Sequence, residues 1–193
     1  MALRRPARCG TGHAVRVSPL RGGGRGDAGG NGGQAGGDPV TPFETDGRTV
    51  TEADIVNFAG FSGDFGPYHL DHTAAGAGLF GAPVLHGLGT LAICSGLLVQ
   101  SRYLRSNGSD PIAFLGVDVR MARPTLVGDT VRVRVADVAQ RPSASRPGCY
   151  VCLLHLECVD QRSAVKLVVN WASLQRGALL PLQPGSAEGT SHG

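Results

Sequence analysis

Long apolar runs are missing from this chain. No stretch approaches the roughly 18 to 20 consecutive apolar residues that a bilayer-spanning helix needs. The best candidate, Ile93 to Val99, falls far short, so a soluble body with no membrane span is expected. Lysine is nearly missing too: Lys166 stands alone against 17 arginines. That replacement reflects coding bias and carries no mechanism. Nor is there a basic face for nucleic acid. The formal net charge is +3, but residues 1–39 hold six Arg against Asp27 and Asp38, a balance of +4 that leaves −1 on the rest. The positive excess therefore belongs to the N-terminal segment, and no nucleic-acid partner is expected for the folded body.

That segment is also short of the apolar residues a core requires. Residues 1–39 carry 12 of the 30 glycines and cannot bury enough surface to offset the entropy of ordering. A disordered Gly/Arg-rich extension is expected there. It reads as a flexible extension, as sequence upstream of the true start, or as an organelle transit peptide. It is Arg-rich with no acid before Asp27, as a transit peptide would be, but it is poor in Ser and its glycines spoil an amphipathic helix. An apolar h-region is lacking, which excludes a secretory signal.

Cysteine is sparse, five in all. Cys149 and Cys152 form a C-x-x-C inside the strand-like run "CYVCLLHLECVD". Side chains alternate along a strand, so these two point to opposite faces and cannot share a metal. Cys152 and Cys158 fall on one face with Leu154 and Leu156, as small core hydrophobes. Reduced thiols fit a cytoplasmic location, with the mitochondrion as the alternative if residues 1–39 are a transit peptide.

What is present reads as one domain over residues 40–178, followed by a flexible polar tail over 179–193. "FETDGRTV" suggests a short strand with a turn at Asp46-Gly47. Thr51 caps a helix with Glu52 and Asp54 in its first turn, and Ile55, Phe58 and Ala59 make its apolar face. Asp71 caps a second, short helix. Pro83 opens the longest helical pattern, residues 83–103, apolar nearly all round from Leu85 to Val99 and so expected to be buried on most sides. Gly87, Gly89 and Gly96 within it suggest close approach of another backbone. Four alternating segments follow, "IAFLGVDVRMARP", "DTVRVRVADVAQ", "GCYVCLLHLECVD" and "SAVKLVVNWASLQ". One apolar helix followed by a meander requires the sheet to wrap it. The expected class is α+β, a single hotdog fold: a curved antiparallel sheet around a long buried helix. The edge strands of such a sheet invite pairing, hence a homodimer.

The chemistry concentrates in "FSGDFGPYHLDH", Phe61 to His72. Asp64 and His69 are five positions apart, which on a helix would separate them. Pro67 disfavours helix at Gly66, and Gly66 is free to take an unusual backbone angle. A bent loop then brings a carboxylate and an imidazole to one water, a general acid/base pair. The alternative from spacing alone is a turn with a solvated Asp and a surface His. "HLDH" has ligand-type residues in His69, Asp71 and His72, but Asp71 is better used as a cap, so no metal is expected. Ser62 is placed either to donate to Asp64 or to end the helix. Tyr68 and Phe65 line the pocket or pack on the long helix. Arg120 and Arg123 are placed either to meet phosphates of a ligand or, alternating with apolar residues on a strand, to point outward as solvated arginines.

The stretch "FSGDFGPYHLD" followed by "FGAPVLHGLGTLAI" resembles the MaoC-like dehydratases and (R)-specific enoyl-CoA hydratases, whose motif runs S-G-D-x-N-P-x-H and then H-G. The resemblance covers most of residues 43–176. It implies reversible, stereospecific hydration of trans-2-enoyl thioesters, a lyase activity within fatty-acid metabolism, with Asp64 and His69 as the catalytic pair. It implies no resident cofactor, since CoA or acyl-carrier pantetheine arrives with the substrate. The Gly87 amide at the helix start is expected to receive the thioester oxygen as an enolate forms, and His86 beside it either touches the substrate or is a satisfied helix-start histidine. The chain departs from the pattern at Gly66, where the family has Asn. That departure keeps open a catalytically weakened subunit that binds acyl thioesters or pairs with another hotdog chain as a heterodimer. A thioesterase with Asp64 as base is a further alternative. All of these require the acyl chain to reach the Asp64–His69 pair.

Overall fold

The computed structural model describes residues 43–106 and 110–179. The expected extension over 1–39 and nearly all of the expected tail over 179–193 lie outside the described residues.

The chain first lays two short strands, β1 (Phe43–Glu44) and β2 (Arg48–Thr49). They do not form a hairpin with each other. Both pair antiparallel with a later strand, β6 (Thr130–Pro142). Helix α1 (Glu52–Ser62) starts where the sequence indicated. The Asp54 carboxylate accepts the Thr51 N–H at 2.8 Å and the Thr51 hydroxyl at 3.0 Å, and also pairs with Arg48. These bonds supply partners at an N-terminus whose amides have none within the helix. Ile55 and Ala59 are buried. The helix runs through Gly60 and ends at Gly63, whose φ of 78° is left-handed and whose N–H returns to the Ala59 carbonyl at 2.8 Å.

Two short helices follow, α2 (Pro67–Leu70) and α3 (His72–Gly76). Asp71 caps the second, accepting from Thr73 N–H at 2.8 Å and Ala74 N–H at 3.0 Å. Pro83 does not begin the long helix. Val84–Leu85 instead form strand β3, which pairs with β5 (Thr125–Leu126). The long helix, α4, is Gly87–Gln100, with His86 as its N-cap, and α5 is Arg102–Ser106. The extended backbone at 84–85 satisfies its polar groups against β5, so the register of the helix starts four residues later than Pro83 suggests.

The remaining strands are β4 (Asp110–Met121), β6, β7 (Cys149–Val159) and β8 (Val165–Arg176). The order across the main sheet is β1-β6-β7-β8-β4, antiparallel throughout. Only β6, β7 and β8 form a sequential meander; β4 is added at the far side of β8. Val131, Val133 and Val135 face inward while Arg132 and Arg134 alternate outward to Glu44. Cys152, Leu154, Leu156 and Cys158 line the same face of β7 and are all buried. Ile93, Cys94 and Leu98 of α4 close the core against this face. The chain is an α+β hotdog fold: a curved antiparallel sheet around a central helix.

The helix is enclosed on one side only. Leu88 is 61 % exposed and Val99 56 %, against 7 % for Ile93 and 2 % for Leu98. The all-round apolar pattern thus overstates burial within a single chain. The close approaches at its glycines are by side chains. A Cβ at Gly89 would meet Leu85 Cδ1 at 3.0 Å and Phe58 Cγ at 3.2 Å, one at Gly87 would meet the Met121 thioether, and Gly96 faces open space.

Candidate active site

Three segments converge at the N-terminal end of α4: the α1–α2 loop with Asp64, helix α2 with His69, and the β3–α4 junction with His86. Asp64 Oδ2 lies 3.8 Å from His69 Nε2 and 3.9 Å from His86 Nε2. The turn that achieves this is built locally. Ser62 Oγ donates to the Phe58 carbonyl at 2.7 Å and accepts the Asp64 N–H at 3.2 Å. Ser62 therefore ends the helix and positions the Asp64 backbone, and does not donate to the Asp64 carboxylate. Asp64 Oδ1 accepts the Gly66 N–H at 3.1 Å. Pro67 then starts α2, where its missing N–H costs nothing.

His69 is buried, and its Nδ1–H donates to the Val84 carbonyl at 2.6 Å. A carbonyl only accepts, so this bond fixes the tautomer and leaves Nε2 facing Asp64. The β3 strand thus serves the site: pairing with β5 holds Val84 where its carbonyl anchors the imidazole. Sequence reasoning missed this role; the short apolar pair after Pro83 gave no sign of it.

His86 is also buried and stacks on His69, ring centroids 3.6 Å apart with an interplanar angle of 19°. Its Nε2–H donates to the Asp64 backbone carbonyl at 2.9 Å, and Phe58 packs its ring at 4.9 Å. Its Nδ1 has no hydrogen-bond partner among the described residues. His86 is therefore held against both members of the pair, bonded to the Asp64 backbone and stacked on the His69 ring.

Gly87 is the first residue of α4 and is exposed, so its amide belongs to the unpaired first turn. Met121 of β4 covers it: its Sδ and Cε lie 3.0 Å from where a Cβ at position 87 would be. Tyr68 is half-exposed, with its ring 4.3 Å from that of His69. Phe65 points to solvent, 63 % exposed. Arg123 donates to the Val165 carbonyl at 3.2 Å, and Arg120 is exposed.

Asp64, His69 and His86 bring one carboxylate and two imidazoles within 4.8 Å of one another, a spacing compatible with a metal. Two of the four imidazole nitrogens are already committed. His69 Nδ1 and His86 Nε2 both carry protons bound to carbonyls. The His86 Nδ1 lone pair lies on the side of the ring away from the bonded Nε2, so Asp64 and His69 Nε2 are the groups left facing each other, an arrangement suited to sharing a proton. In "HLDH", Asp71 is spent as a cap and His72 pairs with Glu52 at 3.2 Å.

Neither described cavity is lined by Asp64 or His69. One, of about 320 Å³, lies between Leu98, Val99, Phe114 and Trp171 at the far end of α4. The other, of about 390 Å³, lies behind Phe58 and Leu85, between α1 and α4. The Asp64 side chain is itself 52 % exposed, so within one chain the pair opens directly to the surface.

A central helix against a curved antiparallel sheet defines a hotdog protein, here with an Asp and a His brought together at the N-terminal end of that helix. The chain belongs to the MaoC-like domain family, whose profile matches residues 35–150. It is 42 % identical over 90 residues to protein MaoC of Klebsiella aerogenes, covering 46 % of this chain and 25 % of that protein. It is 37 % identical over 89 residues to the (R)-specific enoyl-CoA hydratase of Aeromonas caviae, covering 46 % and 63 %. The chain thus spans less than two thirds of either relative. Among solved structures it is similar to a monoamine oxidase regulatory protein of Archaeoglobus fulgidus, with a TM-score of 0.62, 32 % identity, and 73 % of this chain and 92 % of that one covered. The (R)-hydratase of A. caviae superposes with a TM-score of 0.55 at 26 % identity, covering 75 % and 99 %.

Proposed function

We propose that this protein hydrates trans-2-enoyl thioesters to (R)-3-hydroxyacyl thioesters, or runs the reverse dehydration, with Asp64 and His69 as the acid/base pair. The observation that carries this reading is the 3.8 Å approach of Asp64 Oδ2 to His69 Nε2, with the far imidazole nitrogen anchored on Val84. A water between them is activated by one member, which takes its proton as the oxygen bonds to C3. The C2=C3 π electrons move toward the thioester carbonyl, giving an enolate. The proton taken from water is passed within the pair and delivered to C2, restoring the carbonyl and returning Asp64 and His69 to their starting state. Negative charge on the thioester oxygen is met by the Gly87 amide and the positive end of α4. No step asks for a resident metal or cofactor. The thioester is carried on CoA or on acyl-carrier pantetheine.

The unit proposed is a homodimer in the cytoplasm. Strand β4 has β8 on one side and, among the described residues, nothing on the other. It exposes Phe114, Leu115, Val117 and Met121 next to the open side of α4. A second copy against this edge covers apolar surface and supplies the missing wall of the site. A second reading rests on Gly66, which removes the side chain that the resembled motif carries beside the Asp: a weakened subunit that pairs with a different hotdog chain.

Loss of the enoyl absorbance of crotonyl-CoA tests the proposal. Hydration bleaches the chromophore without freeing thiol, and Asp64→Asn abolishes it with the fold intact. Release of CoA thiol would assign a thioesterase instead. No reaction with retained thioester binding would assign the weakened subunit.

A further inference from the structure

Gly66 poses a physical question. Its backbone, at φ −52° and ψ 136°, is extended and open to any residue, so conformational freedom does not explain the glycine. Space does. A Cβ here would lie 3.0 Å from Tyr68 Cζ, 3.2 Å from Tyr68 Cε1 and 3.2 Å from Asp64 Oδ1. The hydroxyl-bearing edge of the Tyr68 ring and the Asp64 carboxylate thus close on the Gly66 Cα so tightly that a methyl group there would crowd both. The same ring lies 4.3 Å from His69. No hydrogen bond between Tyr68 and another described residue engages its hydroxyl, and the side chain is half-exposed, open to a ligand.

We propose that Tyr68 is a substrate-contacting residue whose phenol, seated in the space Gly66 leaves beside Asp64, donates a hydrogen bond to the oxygen that joins or leaves C3. Gly66 and Tyr68 then act as one unit: the absent side chain at 66 is what admits the ring. A phenol donor holds a water or a 3-hydroxyl against the carboxylate while Asp64 and His69 move the protons. This inference rests on the hydratase reading and adds to it a third polar group.

The test compares wild type with Tyr68→Phe, Gly66→Asn and the double variant Gly66→Asn/Tyr68→Leu. Two readouts are taken: crotonyl-CoA turnover, and the dissociation constants of 3-hydroxybutyryl-CoA and butyryl-CoA. Tyr68→Phe is expected to lower kcat about tenfold and to weaken 3-hydroxybutyryl-CoA about tenfold, with butyryl-CoA unchanged, because only the hydroxyl loses its partner. Gly66→Asn is expected to lose activity by displacing the ring, and the double variant to regain part of it. A structural role for Tyr68 would move both ligands equally. Equal affinities and turnover in wild type and Tyr68→Phe would overturn the proposal, as would a double variant no better than Gly66→Asn. An active wild type silenced by Asp64→Asn but indifferent to Tyr68→Phe sinks this inference alone. A wild type that neither hydrates nor binds either thioester sinks the hydratase reading and this inference with it.

Discussion

At the scale of single residues, the site depends on which groups already have partners. His86 donates to the Asp64 carbonyl and stacks on His69, so it touches both members of the pair without facing the open side. Replacing it by Phe keeps a ring in the stack and removes the donor. The expected result is a roughly tenfold fall in kcat with KM little changed, since a displaced Asp64 affects proton transfer more than binding. Steady-state kinetics on crotonyl-CoA check this, with thermal melting to confirm folding. Cys94 supplies a second case. A hydrogen bond to Cys158, then burial, push its thiol well above the ordinary range. A thiol-specific reagent at pH 8 should leave Cys94 unmodified in the native protein and label it on denaturation, read by mass spectrometry.

At the scale of elements, the β5–β6 and β7–β8 turns are tied together by the only lysine in the chain. Lys166 Nζ reaches Asp129 at 2.7 Å, the Pro124 carbonyl at 3.0 Å and Asp160 at 3.2 Å, all nearly buried. Lys166→Met leaves two carboxylates without their cation and should destabilise by about 3 kcal/mol in urea unfolding. Asp160 itself is pulled in two directions. Burial pushes its carboxyl up, but the Ala164 and Arg162 amides and Lys166 outweigh that and hold it below the ordinary value. A depressed folded pKa gives stability that is complete above the unfolded value and is lost as pH falls through the folded one. Unfolding free energy should therefore decline below about pH 4 in wild type. The decline should be shallower in Asp160→Asn.

At the scale of the whole molecule, one chain leaves its helix half covered and the Asp64 side chain open to the surface. Leu88, Val99, Phe114 and Leu115, all exposed, mark the surface that a second copy would bury. Sedimentation should find a dimer at micromolar concentration. Phe114→Asp with Leu88→Asp should shift it to monomer and reduce turnover at least tenfold, because the open pair then competes with bulk water. A monomer of full activity would show that the site is complete within one chain.

Much of this protein was written in its residue pattern. Alternation at Val131, Val133 and Val135 dictated strands with one buried face, because a two-residue period admits no other choice. Thr51 and Asp71 marked helix starts: the Asp71 carboxylate accepts the first amides of its helix, and at Thr51 the Asp54 carboxylate reaches back to the Thr51 N–H and hydroxyl. The two motifs around Asp64 and His86 carried the family resemblance. Other features had no local signature. The pairing of Val84–Leu85 with Thr125–Leu126, and so the anchor on His69, joins segments some forty residues apart. The place of β4 beside β8 and the cover of Met121 over Gly87 arise from the sheet's order, which no short window encodes. The reason for Gly66 was misread from sequence as backbone freedom, and only the packed turn showed it to be room for Tyr68. Local preference sets each element; which side chains share a cubic nanometre is decided by the long-range pairing that assembles them.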